Sequence, residues 1–109
     1  MAYNQQLAQR IREETKTLPG LQEKKMFGSV GFLIQGNMAC GVHGEDMIVR
    51  TGTENYQAAL SRPHTRPFDL TGKPMQGWIM VEPKGVEAES DLRYWVQQGV
   101  EFAQSLPPK

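Results

Sequence analysis

The chain has 109 residues with 12 basic and 12 acidic side chains, so its formal net charge is zero. That length makes one domain, able to bury a core without a disulfide or a metal, and the even balance argues against a dedicated nucleic-acid binder. Hydrophobic residues at 39% and charged residues at 22% exclude wholesale disorder, and no apolar run is long enough for a membrane span.

The first predicted element is a helix. Asn4 is its cap, because its side-chain oxygen can accept from a free first-turn amide. Leu7, Ile11 and Leu18 form one stripe, with Ala8 beside it. Leu18-Pro19-Gly20 stops it. Four strand-like runs follow: Lys24 to Phe27, Val30 to Gln35, Met38 to His43 and Asp46 to Arg50. Gly36-Asn37 is read as a two-residue hairpin turn and Gly44-Glu45 as a second. The spacing leaves no room for crossover helices, so these strands form an antiparallel meander.

Thr53 is the predicted cap of a short helix carrying Tyr56, Ala59 and Leu60, which Arg62-Pro63 ends. Residues 62–75 form a proline-punctuated connection, with Phe68 to Leu70 as a short edge strand. Gly77 to Val81 is the most apolar strand, closed by Glu82-Pro83-Lys84-Gly85. The last helix carries Leu92, Trp95, Val96, Gly99, Phe102, Ala103 and Leu106 on one stripe, with Ser90 as cap. Glu87, Glu89 and Asp91 place negative charge at its positive end, and Pro107-Pro108 terminates it. The predicted class is α+β: an antiparallel sheet packed by three helices, in the order α-β-β-β-β-α-β-β-α, as one domain over residues 1–109.

Catalytic signatures are weak. Gly72-Lys73 lacks the glycine and hydroxyl of a phosphate loop, since Pro67 and Pro74 stand there. Ser29 has Phe27 where a nucleophile elbow needs glycine. Cys40 and His43, three apart on a strand, point to opposite faces, which is wrong for chelation. No metal or other cofactor is expected. Cys40 is alone, which excludes an internal disulfide and suits a reducing, cytoplasmic compartment. Met1 to Gln6 lacks the basic and apolar regions of a signal peptide. The enzymatic alternative is a small pocket using His43, His64 or Cys40.

Charge is locally uneven. Arg62, His64, Arg66 and Lys73 face one acid, Asp69, whereas Glu82, Glu87, Glu89 and Asp91 face only Lys84. One basic and one acidic side are therefore expected. Lys24, Lys25, Arg50, Arg62, His64, Arg66 and Lys73, with Trp78 as an aromatic anchor, make the candidate interaction surface.

Lys24-Lys25-Met26-Phe27-Gly28, Gly31-Phe32, Gly36-Asn37-Met38 and Cys40-Gly41-Val42-His43-Gly44 carry a family pattern. It continues through Ile48-Val49-Arg50, Tyr56, Leu60 and Arg62-Pro63-His64-Thr65-Arg66-Pro67. It ends with Thr71-Gly72-Lys73-Pro74-Met75, Gly77-Trp78 and Ser105-Leu106-Pro107-Pro108-Lys109. In this order, over essentially the whole chain, the residues resemble the N-terminal domain of the TfoX/Sxy family. The resemblance implies an α+β fold with an antiparallel sheet backed by helices. It implies kinship with a bacterial regulator of natural competence that works beside the cyclic-AMP receptor protein and has a second, C-terminal domain. It carries over no catalytic residue. The expectation is a stand-alone, non-enzymatic regulatory or interaction module without that second domain. Its partner is a protein of the transcription machinery or a second copy of itself as a homodimer, with nucleic-acid binding as the alternative and no membrane contact.

Overall fold

The computed structural model describes residues 3–26, 28–69 and 72–109. Among them, α1 (Gln5–Thr15) leads into β1 (Leu21–Met26), β2 (Ser29–Ile34), β3 (Asn37–His43) and β4 (Asp46–Arg50). Then come α2 (Tyr56–Leu60), β5 (Thr65–Pro67), β6 (Trp78–Val81), a 3-10 turn (Pro83–Val86) and α3 (Glu89–Gln104). The class and order are the predicted ones. All six strands join one antiparallel sheet in the order β1-β2-β3-β4-β6-β5.

Alternation along the strands divides the sheet into two faces. Val30, Phe32, Ile34, Cys40, Val42, Met47, Val49, Ile79 and Val81 share one core with residues of all three helices. The other face carries Ser29, His43, Asp46 and Arg66, together with the buried Ile48 and Met80.

Asn4 caps α1 as predicted, its Oδ1 accepting from the Leu7 amide at 3.0 Å. The helix ends at Thr15, short of Leu18. The Thr15 hydroxyl donates back to the Ile11 carbonyl at 2.9 Å, and Leu18 N–H closes a turn onto the Thr15 carbonyl. Leu18 then packs on the core margin from outside the helix. β1 begins at Leu21, earlier than expected, because Leu21 pairs with Ile34 across the hairpin. Phe27, placed in that first run, lies outside the described residues.

The β2–β3 turn is Gln35-Gly36, one residue before the predicted pair. Both residues have positive φ, 52° and 87°, as a twisted two-residue hairpin requires, and Asn37 starts β3 opposite Ile34. Gly44-Glu45 is the β3–β4 turn, as read. Thr53 does not cap α2: the helix begins at Tyr56, and only the Thr53 carbonyl takes part, accepting from Tyr56 N–H. Ser90 lies inside α3, where Ala88 holds the cap position with no side-chain bond, while Glu89 and Asp91 supply first-turn negative charge. Leu106 lies beyond the end of α3. The edge strand is Thr65–Pro67, and Phe68 and Asp69, predicted to start it, lie beyond its end. The Thr65 hydroxyl ties it to carbonyls at the end of α2, so pairing with β6 starts there. Leu70 lies outside the described residues.

One irregularity sets the helix layer. Phe32 pairs with Cys40 but Leu33 pairs with Met38, so Ala39 is an extra residue in β3. Ala39 and Cys40 are consecutive and both buried in the core. α3 lies on this bulge with Gly99 against it. A Cβ on Gly99 would stand 2.2 Å from the Ala39 carbonyl oxygen.

Gly99→Ala therefore tests the packing by sign. Alanine favours a helix over glycine by about 1 kcal/mol, whereas overpacking against fixed backbone costs about 1–3 kcal/mol or more. The expected result in urea denaturation is a net loss of about 1 kcal/mol or more. A neutral or stabilised variant would contradict the seating of α3 on Ala39.

Candidate functional site

Arg50 ends β4 directly opposite Trp78, the first residue of β6. Its guanidinium lies 5.0 Å from the Trp78 ring centroid and 5.2 Å from that of Phe102 on α3. Phe102 can come this close because residue 52 is glycine: a Cβ there would be 2.4 Å from the ring. Thr51 is buried, and its hydroxyl and amide bond the Gly77 carbonyl, locking the end of β4 to the start of β6. These residues, with Thr53, Glu54, Gln76 and Ser105, surround a cavity of about 410 Å³. Two predicted surface residues, Arg50 and Trp78, thus meet in one site. Among the described residues no carboxylate lies within 4.0 Å of Arg50.

Arg62 stands just beyond the other end of α2. Its guanidinium lies 4.0 Å from the Tyr94 ring centroid and 5.5 Å from that of Trp95. With His64, Lys84, Asp91 and Trp95 it lines a groove of about 210 Å³. His64 is exposed and holds a left-handed backbone (φ 64°), an unfavourable state for a non-glycine residue. Trp95 and Phe102 are two helical turns apart on α3, so the two arginine sites border α2 along one flank of α3.

The remaining predicted residues are elsewhere or engaged. Lys24 and Lys25 are exposed on β1, the opposite edge of the sheet from β5, about 24 Å away at the usual strand spacing. Lys73 is exposed in the loop before β6. Arg66 is bound to Asp46, with Asp69 at 3.9 Å and Glu82 at 4.0 Å. The expected basic and acidic sides are therefore not separate: Glu82 N–H bonds the His64 carbonyl, which packs the acidic segment against the basic one. Of the six arginines, Arg10, Arg12, Arg66 and Arg93 hydrogen-bond to carbonyls or carboxylates. Arg50 and Arg62 rest on aromatic rings.

Cys40, His43 and His64 do not form a site. Cys40 is fully buried on the core face, where desolvation pushes its thiol up to about 12. His43 lies on the other face, its Nδ1 2.5 Å from the Ser29 hydroxyl. Asp46 is opposite His43 in register, but its carboxylate is taken by Arg66, so among the described residues no carboxylate pairs with the imidazole as in a catalytic triad. Among the described residues no group of three His, Cys, Asp or Glu side chains can hold a metal ion, and no helix is long and apolar enough to cross a membrane.

Sequence reasoning missed Phe102, Tyr94 and Glu54 as site residues. Phe102 was assigned to the core stripe of α3, and it is half-buried at the stripe's border. Its seven-residue separation from Trp95 was the available signal.

The family described as the TfoX N-terminal domain matches residues 13–103, which span the whole sheet, α2 and every lining residue of the two arginine sites except Ser105. No curated protein and no solved structure matches.

Two measurements check this geometry. Arg66→Ala leaves Asp46, Asp69 and Glu82 facing one another without their cation. Denaturation should show a loss of about 1 kcal/mol that shrinks at high salt, because screening weakens the repulsion. The buried thiol gives the second. In the unfolded chain Cys40 titrates near its ordinary 9.0, and in the folded protein near about 12. Between these values unfolding releases a proton, so stability falls as pH rises from about 9 to about 12. Cys40→Ala should remove that part of the slope, and the native thiol should resist a soluble disulfide reagent at pH 8.

Proposed function

Because this chain belongs to the TfoX N-terminal domain family, we propose that it is a non-enzymatic regulatory module that acts by binding a protein. The transcription machinery of a bacterial cytoplasm is the setting the family association favours. The working face is the flank of α3 bordered by α2, with Arg62 and His64 at one end and Arg50 and Trp78 at the other.

One observation carries this reading. Arg50 and Arg62 are the two arginines held on aromatic faces with their hydrogen-bonding edges uncommitted to a carboxylate. A guanidinium stacked in this way is pre-oriented, so it loses little freedom on meeting an acidic side chain. Aromatic and arginine side chains are also the residues that dominate binding energy at protein interfaces.

A nucleic-acid reading has one observation in its favour: Arg62, His64 and Lys84 share a groove with a single acid, Asp91. The two readings separate in one experiment. The tagged protein is used for affinity capture from its native extract, with and without nuclease, beside Arg62→Ala. The expected result is a stoichiometric protein that survives nuclease and is lost with Arg62→Ala. Partners that vanish with nuclease would move the assignment to nucleic acid, where binding should weaken steeply with salt. Capture unchanged by Arg62→Ala would remove this face from the interaction.

A further inference from the structure

We propose that the cavity around Arg50 is a binding site for a single carboxylate carried on a flat apolar body. The inference goes beyond the docking reading and does not depend on it, since it concerns the Arg50 end of the face alone.

The cavity has the dimensions and the lining of a small-ligand site. Its volume, about 410 Å³, lies in the range of ligand pockets. Two aromatic rings, Trp78 and Phe102, form its apolar walls, while Thr53, Gln76 and Ser105 bring neutral polar groups.

Arg50 supplies the recognition element. Trp78 and Phe102 both lie within cation–π range of its guanidinium. The N–H donors of a guanidinium lie in its plane and point outward from the edge. Among the described residues none of the Arg50 donors has a hydrogen-bond acceptor, and none is a buried polar atom without a partner. They are therefore accessible to solvent, on a residue that lines the cavity. A planar fork of this kind matches the two oxygens of one carboxylate.

The charge of the remaining lining narrows the class. Among the described residues Arg50 is the only cation that lines the cavity, and Glu54 brings a carboxylate to the same lining, further than 4.0 Å from Arg50. One positive and one negative lining group accept a monoanion and repel a second negative charge. This disfavours phosphate, dicarboxylates and a nucleic-acid backbone. The aromatic walls favour an acid with an aromatic or branched apolar body over acetate.

The test is calorimetric titration of the intact protein with phenylacetate, phenylacetamide, inorganic phosphate, and the peptide Gly-Gly-Phe with a free or an amidated end. The free acid should bind saturably, while phenylacetamide and phosphate should not. Arg50→Gln should weaken binding about tenfold or more, because the bidentate charge-assisted pair is lost. Glu54→Gln should tighten it several-fold. Since Arg50→Gln perturbs a packed arginine, its folding is checked by thermal unfolding, and Glu54→Gln carries the test if that variant is unstable. Binding of Gly-Gly-Phe but not its amide, with no response to phenylacetate, would support the site and assign the carboxylate to a chain terminus. Equal binding of acid and amide, competition by phosphate, no binding of either acid at millimolar concentration, or indifference to Glu54→Gln would overturn the proposal. Loss of carboxylate binding with partner capture intact would sink this inference and leave the docking reading standing.

Discussion

The helix layer depends on one contact: the backbone of α3 at Gly99 lying on the bulged residue Ala39 of β3. The bulge turns two consecutive residues, Ala39 and Cys40, into the core and pushes a carbonyl toward the helix. Only a residue without a side chain tolerates that approach. Once Gly99 is seated, the rest of α3 has little freedom. Leu92, Trp95, Val96, Val100 and Ala103 close over the sheet, and Phe102 comes down on Gly52. The ring that flanks Arg50 is thus placed by a packing contact three residues away, on another strand. The same seating brings Tyr94 and Trp95 under Arg62.

Patterns local in the chain were legible in the sequence. Asn4 as a cap, the apolar stripe of α3 and the strand meander all depend on residues within a turn or two of each other. The order of elements followed from them. The errors fall where two sequences of equal local merit compete. Gly36-Asn37 and Gln35-Gly36 both suit a tight turn, and the choice is made by pairing: Asn37 is opposite Ile34, and its side chain bonds the Pro107 carbonyl near the chain end. Thr53 and Ser90 are good caps in isolation, but a tight turn at 53–55 and the 3-10 turn before α3 shift both helix starts. The bulge at Ala39 left no trace in the periodicity, since alanine fits either face.

The candidate site was legible in its residue types but not in its grouping. Arg50 and Trp78 were both singled out, and register brought them together. Lys24 and Lys25 belong to the same predicted surface, although β2 and β3 lie between their strand and that of Arg50. Arg66 was counted as free charge because Asp69 was the only acid near it in sequence, yet Asp46 and Glu82 reach it through the strand pairing. Charge counted along a chain is a poor guide to charge in space when an antiparallel sheet folds distant segments side by side.

This difference explains how a chain of zero net charge can still present arginines without a carboxylate partner. An arginine paired with carboxylates has spent its in-plane donors, and its field is cancelled close by. An arginine stacked on an aromatic ring is held through its faces, so the donors at its edge are left for a partner. The cost is a small number of large aromatic residues, and this chain has few. Both tryptophans, with Tyr94 and Phe102, lie against just two arginines. Trp95 is buried in the core, while Trp78, Tyr94 and Phe102 are half-buried beside the guanidiniums. That placement holds both guanidiniums by their faces at the margin of the core, and among the described residues no carboxylate pairs with either.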